Sequence, residues 1–186
     1  METKDQIRAA FKGNRDNLSW TQARRLSMEI CRNIELHPWF LQADTVCLYY
    51  PLGKEVNLLP LAETAWRMGK KTAFPRVTGR EMQFFQAKSF AEFKEGSFHV
   101  MEPVGNRELY QEDALVLASG LGFDRQGARI GYGGGYYDRY FAGHPHRYKL
   151  GAAYAFQLVE TLCLEEHDVR MDGVASETGV MEFYCK

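Results

Sequence analysis

The chain has 186 residues, 45% of them hydrophobic, and its 23 Lys and Arg against 24 Asp and Glu leave a formal charge of −1. A chain this long suggests one domain and buries enough surface to fold without a metal or disulfide. With no basic run, no apolar stretch of the roughly 18–20 residues that span a membrane and a charged start without a signal peptide's apolar core, the reading excludes nucleic-acid partners, membrane insertion and secretion.

The N-terminal region, about residues 3–37, reads as helical. Thr3-x-x-Gln6 and Ser19-x-x-Gln22 both have capping-box spacing. Lys4 and Arg8 lie four apart, so one face of the first helix carries two cations; by spacing alone this is a solvated face. Ala23, Leu26, Ile30 and Ile34 follow at helical intervals, and Pro38 is expected to end that run.

The period then changes. Residues 45–50 (Thr-Val-Cys-Leu-Tyr-Tyr) read as a buried strand stopped by Pro51. Asn57 is placed to cap a helix running through Met68, with Gly69 as its stop. Residues 71–74 read as a second strand ending at Pro75, and 76–87 as a hairpin turning at Thr78-Gly79. The clearest buried strand is 114–118, a helix begins at Tyr136, and 150–154 and 179–183 are later strands. Continuous apolar strands alternating with helices indicate an α/β fold: a mostly parallel central sheet flanked by helices, a Rossmann-like three-layer sandwich. Ligands of such sheets sit past the carboxyl ends of the strands.

Seven of the 17 glycines fall between positions 120 and 135, directly after the clearest strand. This segment is neither of two familiar phosphate loops. G-x-G-x-x-G starting at Gly131 would need glycine where Tyr136 stands, and no Lys-Ser or Lys-Thr follows a suitably spaced glycine. Consecutive glycines still let backbone N–H groups converge into a nest for anionic oxygens, and a following helix adds its positive dipole end. Arg129 and Arg139 flank the run with forked donors, Asp138 is a carboxylate suited to Mg2+, and Tyr132, Tyr136 and Tyr137 offer flat faces. A turn-rich hairpin, with glycine merely allowing positive φ, is the plainer alternative; the arginines, aspartate and tyrosines in the same window favour an anion site.

The segment Phe123-Asp124-x-x-Gly127-x-Arg129-Ile130-Gly131-Tyr132-Gly133-Gly134-Gly135-Tyr136-Tyr137-Asp138-Arg139 closely resembles the signature of the 5-formyltetrahydrofolate cyclo-ligase family, also called methenyltetrahydrofolate synthetases. Lys4-x-x-x-Arg8, Tyr49-Tyr50-x-x-x-x-Glu55-Val56, Gly69-Lys70-Lys71 with Phe74-Pro75-Arg76, Met82-x-Phe84, Glu102-Pro103 and His167-Asp168 fall in family order, so the resemblance covers nearly the whole chain. Ser119-Gly120 stands where the family usually has Pro-Gly.

The resemblance implies a reaction in which ATP and Mg2+ drive closure of 5-formyltetrahydrofolate to 5,10-methenyltetrahydrofolate, releasing ADP and phosphate through a phosphorylated formyl (iminophosphate) intermediate. It implies ATP binding by Lys4, Arg8, Arg129, Gly131, Tyr132, Gly133, Gly134, Gly135, Tyr136 and Tyr137. Tyr50, Glu55, Tyr132, Gly133, Gly134, Gly135 and Tyr136 would meet the folate, Asp138 and Asp168 would hold Mg2+, and Arg129, Tyr136 and Asp138 would act in catalysis. An isolated Glu55 or Asp168 would otherwise be a solvated acid. Two rivals stand beside this reading: an ATP-dependent kinase or ligase for another small substrate, and a catalytically inactive binding relative.

The remaining candidates are plainer. His144-x-His146 and Cys163-x-x-x-His167 each supply two ligands, too few for a closed metal site. Trp20, Trp39 and Trp66 read as packing residues. Cys31, Cys47, Cys163 and Cys185 contain no C-x-x-C pair and read as reduced thiols. The chain is thus expected to be a cytoplasmic monomer binding small molecules, one domain over residues 1–186.

Overall fold

The computed structural model describes residues 4–145, 148–162 and 168–183. Helix α1 (Lys4–Asp16) is followed by α2 (Trp20–Glu35), and the second begins as its sequence dictates. Ser19 Oγ accepts from Gln22 N at 3.1 Å, and Gln22 Oε1 accepts from Ser19 N at 2.8 Å. This reciprocal box satisfies two donors that the first helical turn otherwise leaves without acceptors. Pro38 does not end this helix, which stops at Glu35; it instead opens the short helix α3 (Pro38–Gln42), where its missing N–H costs nothing. The next helix, α4 (Leu59–Arg67), begins two residues beyond Asn57. Asn57 Oδ1 accepts from Leu59 N at 3.0 Å, but Leu58 occupies the cap position. Helix α5 (Tyr136–Gly143) comes late in the chain.

Strands β1 (Thr45–Cys47), β2 (Lys71–Thr78) and β3 (Glu81–Gln86) come first, then the small pair β4 (Phe93–Glu95) and β5 (Met101–Pro103). After β6 (Leu115–Ala118) come β7 (Gly122–Asp124), β8 (Arg129–Ile130), β9 (Tyr148–Ala152) and β10 (Leu158–Val159). Strands β11 (Gly173–Ser176) and β12 (Gly179–Glu182) follow. The main sheet runs β12-β11-β9-β6-β1-β2-β3. Its inner five strands are parallel, and β12 and β3 close the edges as antiparallel neighbours.

Side chains alternate across a strand, so a strand buried on both faces must be apolar throughout. In β6, Leu115 and Leu117 pack with Ile30 and Ile34 of α2 and with Leu61 and Ala65 of α4. Val116 and Ala118 face the opposite layer, which holds Tyr137, Tyr140 and Phe141 of α5. The expected three layers are present, and α2 is a full wall of one of them. Trp39 stacks on Tyr148 at 4.7 Å and Trp66 Nε1 donates to Thr72 Oγ1 at 2.7 Å. Trp20, in contrast, is exposed, with Lys54 over its ring.

Two strands differ from expectation at prolines. The ladder of β1 ends at Cys47 rather than reaching Tyr50. Strand β2 runs through Pro75, which pairs with Phe84 of β3. Its partnership with β1 has already ended at Ala73, so on that side no ladder bond calls for the missing N–H. The glycine-rich segment also divides. Its first half is the antiparallel β7–β8 hairpin of a second sheet, ordered β10-β7-β8, with Gly127 at φ +86° in the turn. The plainer hairpin reading therefore holds for residues 122–130, and only 131–135 form a loop. Helix α1 sits on this second sheet, where Phe11 packs with Leu121, Ala128 and Ile130.

Two measurements test this packing. Ser19→Ala should lower unfolding free energy by about 1 kcal/mol in urea titrations, with an unchanged urea dependence. Burial pushes the Cys31 and Cys47 thiols up to about 12. Mass spectrometry after alkylation at pH 8 should find both unmodified in the native protein and both modified in urea.

Candidate functional site

The loops after β1 and β6 leave the carboxyl ends of adjacent parallel strands, and the candidate residues gather there. The loop at 131–135 joins the β8 strand to α5. Gly133 (φ +95°) and Gly135 (φ +63°) hold conformations that cost an L-residue with a side chain. Gly135 is the N-cap of α5 with no side-chain cap bond, so the helix opens on bare backbone at the loop.

Arg129 is 8% exposed and points from β8 to the first turn of α5, where its Nη2 donates to Asp138 Oδ2 at 2.9 Å. Its guanidinium also lies 5.2 Å from the centre of the Tyr137 ring. Asp138 Oδ1 accepts from Val169 N at 3.3 Å, which draws the segment bearing Asp168 to the same place. From the other side α1 supplies its cations. Lys4 Nζ is 3.1 Å from Asp168 Oδ2, and Arg8 Nε donates to Gly131 O at 3.1 Å. Arg8 is therefore in contact with the glycine loop, 123 residues away in sequence. The face that spacing alone assigns to solvent is turned to the site.

Glu55 stands in the loop that follows β1. It is 7% exposed, and burial is the largest influence on its carboxyl, raising its pKa above the ordinary 4.5. Tyr132 Oη donates to its Oε1 at 2.6 Å and Leu52 N to its Oε2 at 2.8 Å. Arg15, near the end of α1, lies with Nη1 3.8 Å from Glu55 Oε1. Burial also raises the Tyr132 hydroxyl, with the neighbouring Glu55 charge adding to the effect.

Among the anticipated residues, Lys4, Arg8, Arg129, Asp138, Asp168 and the loop at 131–135 are thus neighbours, and Tyr132 ties Glu55 to the loop. Tyr136 Oη donates to Gly79 O, and Arg139 turns to Arg80 O with its guanidinium 5.1 Å from the Tyr136 ring centre. These two residues lean on the β2–β3 turn. Tyr137 is buried in the core. Tyr50 packs against Phe93 at 5.5 Å. His144 stacks on Tyr140, while His146, Cys163, His167 and Cys185 lie outside the described residues.

Arg15 was not anticipated. The signal for it is the helical period: Lys4, Arg8 and Arg15 are spaced by four and seven, which places all three on one face of α1. Asp124 is a second buried acid with a structural task. Its carboxylate accepts from Gln126 N, Ala128 N and Leu162 N, which fixes the β7–β8 turn.

Known proteins share both sequence and fold with this chain. The Escherichia coli K12 5-formyltetrahydrofolate cyclo-ligase is 29% identical over 182 residues, covering 93% of this chain and 100% of the relative. The mouse 5-formyltetrahydrofolate cyclo-ligase is 23% identical over 187 residues, covering 92% of each. A solved structure of Aquifex aeolicus 5,10-methenyltetrahydrofolate synthetase superposes with a TM-score of 0.88 at 33% identity, covering 98% of this chain and 94% of the other. The synthetase structure from Mycoplasma pneumoniae, at 22% identity and TM-score 0.75, shares the fold over 95% of this chain and 99% of its own. The model of the 5-formyltetrahydrofolate cyclo-ligase family matches residues 1–177, and with the glycine loop, its facing cations and the paired acids in place, the chain belongs to that family.

Proposed function

We propose that the chain catalyses the ATP- and Mg2+-dependent closure of 5-formyltetrahydrofolate to 5,10-methenyltetrahydrofolate, with release of ADP and phosphate. The observation that carries this reading is the docking of the Lys4–Arg8 face of α1 onto the glycine loop and Asp168. It gathers cations, an exposed helix start and two carboxylates around one space, which is what a metal-bound polyphosphate requires.

Phosphoryl transfer depends on positioning and charge neutralisation more than on covalent help from the protein. Lys4 and Arg8 neutralise phosphate oxygens from the α1 side, Arg129 does so from β8, and the Gly133–Gly135 backbone lies against the chain of phosphates. Asp138 and Asp168 are hard oxygen donors of the kind Mg2+ takes together with phosphate oxygens. The Asp138 carboxylate keeps lone pairs beyond those used by Arg129 and Val169, so the donor set fits the ion. When bound, Mg2+ supplies charge neutralisation at the transferring phosphoryl group.

On the folate side, the Glu55 carboxylate accepts N–H donors of the pterin with Tyr132 beside it, and Tyr50 and Tyr136 meet other parts of the folate. The formyl oxygen takes the phosphoryl group, which turns a poor leaving group into a good one. Nitrogen 10 then adds to the activated carbon, and phosphate departs as the ring closes. The same reading has the chain work as a cytoplasmic monomer, where reducing conditions keep Cys31 and Cys47 as thiols.

The purified protein with 5-formyltetrahydrofolate, ATP and Mg2+ should produce the methenyl chromophore; ATP binding without product would instead favour another substrate. Asp138→Asn should lower kcat by about 100-fold or more and raise the Mg2+ concentration needed for half-maximal rate. Asparagine is the cleaner variant, because Asp138→Ala leaves the buried Arg129 guanidinium unpaired and should cost about 3–5 kcal/mol of stability.

Glu55 must be ionised to accept the pterin donors, and burial has raised its pKa. Protonation on the acid side therefore weakens folate binding. kcat/KM for the folate should fall along an acid limb centred above 4.5, and Glu55→Gln should lower kcat/KM and remove that limb.

A further inference from the structure

Arg15 has donors that no group among the described residues takes up. It is 4% exposed, yet its Nε and Nη1 are buried without a hydrogen-bond partner. A guanidinium carries five N–H donors in a rigid fork, and leaving them unmet away from water is costly. Such a group in a native structure calls for a specific explanation. Pairing with Glu55 does not provide one, because 3.8 Å from Nη1 to Oε1 is an ionic contact beyond hydrogen-bond reach.

The covering group is Tyr132. Its hydroxyl occupies Glu55 Oε1 at 2.6 Å, and its ring centre lies 5.5 Å from the Arg15 guanidinium. Tyr132 is itself 47% exposed and stands between Gly131 and Gly133, on the part of the loop most able to change its backbone angles. Beneath it, the Glu55 acceptor and the Arg15 donors lie side by side, with Nη1 3.8 Å from Oε1.

That juxtaposition has a chemical complement. A 2-amino-4-oxo heterocycle presents, along one edge, an amino group, a ring N–H and a carbonyl oxygen. Glu55 answers the first two. We propose that Arg15 is a substrate-positioning residue that donates its free N–H groups to the 4-oxo oxygen of the reduced pterin, setting the register of the ring against Glu55. The proposal rests on the assignment of Glu55 to the pterin. It adds a selection rule: the site prefers a 4-oxo ring over a 4-amino ring, which brings donors to face the guanidinium.

The test is a calorimetric comparison of two ligands, 5-formyltetrahydrofolate and its 2,4-diamino counterpart, on the wild type and on Arg15→Leu. ATP affinity and melting temperature serve as controls. Loss of a charge-assisted hydrogen bond should weaken the 4-oxo ligand by about 10- to 100-fold. The 2,4-diamino ligand should bind the variant as well as or better than the wild type, with ATP affinity unchanged. Equal weakening of both folates, or of ATP alongside them, overturns the proposal and marks Arg15 as a packing residue. Wild type that binds ATP but neither folate overturns the folate assignment itself. Should Arg15→Leu fail to fold, Arg15→Lys decides: it retains the charge but not the fork, and an unchanged preference between the two ligands sinks the idea.

Discussion

A guanidinium removed from water must be met by charge and by hydrogen-bond acceptors, and Arg129 is met by Asp138. That demand fixes more than one pair of atoms. Arg129 belongs to a two-residue strand in the small sheet, and Asp138 to the first turn of α5 on the main sheet. Their bond pins the helix to the hairpin across the glycine loop, so the loop has both ends anchored by one ionic contact. The other oxygen of Asp138 receives Val169 N and brings the neighbouring Asp168 into place. Lys4, which pairs with Asp168, then fixes how α1 lies. Arg129 and Lys4 are thus each positioned by an acid that is itself held by backbone or by a neighbouring segment, while Arg8 rests on the Gly131 carbonyl.

This chain of dependence explains why the cleft is polar but not loose. Exposed ion pairs contribute little, because water screens them and long side chains resist ordering. Here most of the partners are largely buried: Arg129 and Asp138 are 4% and 14% exposed at their side chains, and Arg15 and Glu55 are 5% and 6%. Such pairs give little net stability, since desolvation offsets attraction. Their effect is on arrangement. Removing one member leaves a charge with no water to turn to, so each pair tolerates change poorly.

Much of the architecture was legible in the sequence because it follows from periodicity and local hydrogen bonding. The Ser19–Gln22 box, the apolar β6 strand and the change from helical spacing to short, continuously apolar runs are local, and each is present. The glycine loop and its family resemblance located the site. What spacing alone could not supply was contact across distance. Lys4 and Arg8 read as a solvated face until the loop 123 residues beyond Arg8 came to meet it. Pro75 lies inside a strand because its neighbour strand ends two residues earlier, a fact of sheet register. Asn57 supplies a hydrogen bond at a helix start without being the cap, since the chain turns one residue later. Arg15 lies outside the motifs that carry the resemblance, although it shares the face of Lys4 and Arg8.

The contacts of α1 also carry a consequence for biosynthesis. Lys4 meets Asp168, 164 residues later, and Arg8 meets Gly131. Contacts at such separations form late, because so much intervening chain must first be ordered. During translation, α2, α4 and the strands β1, β2, β3 and β6 are available to associate while the first helix still lacks its acidic partner. The candidate site is complete only after Asp168 has left the ribosome. A nascent chain released before that point would carry five of the seven strands of the main sheet and lack the Lys4–Asp168 contact that seats its first helix.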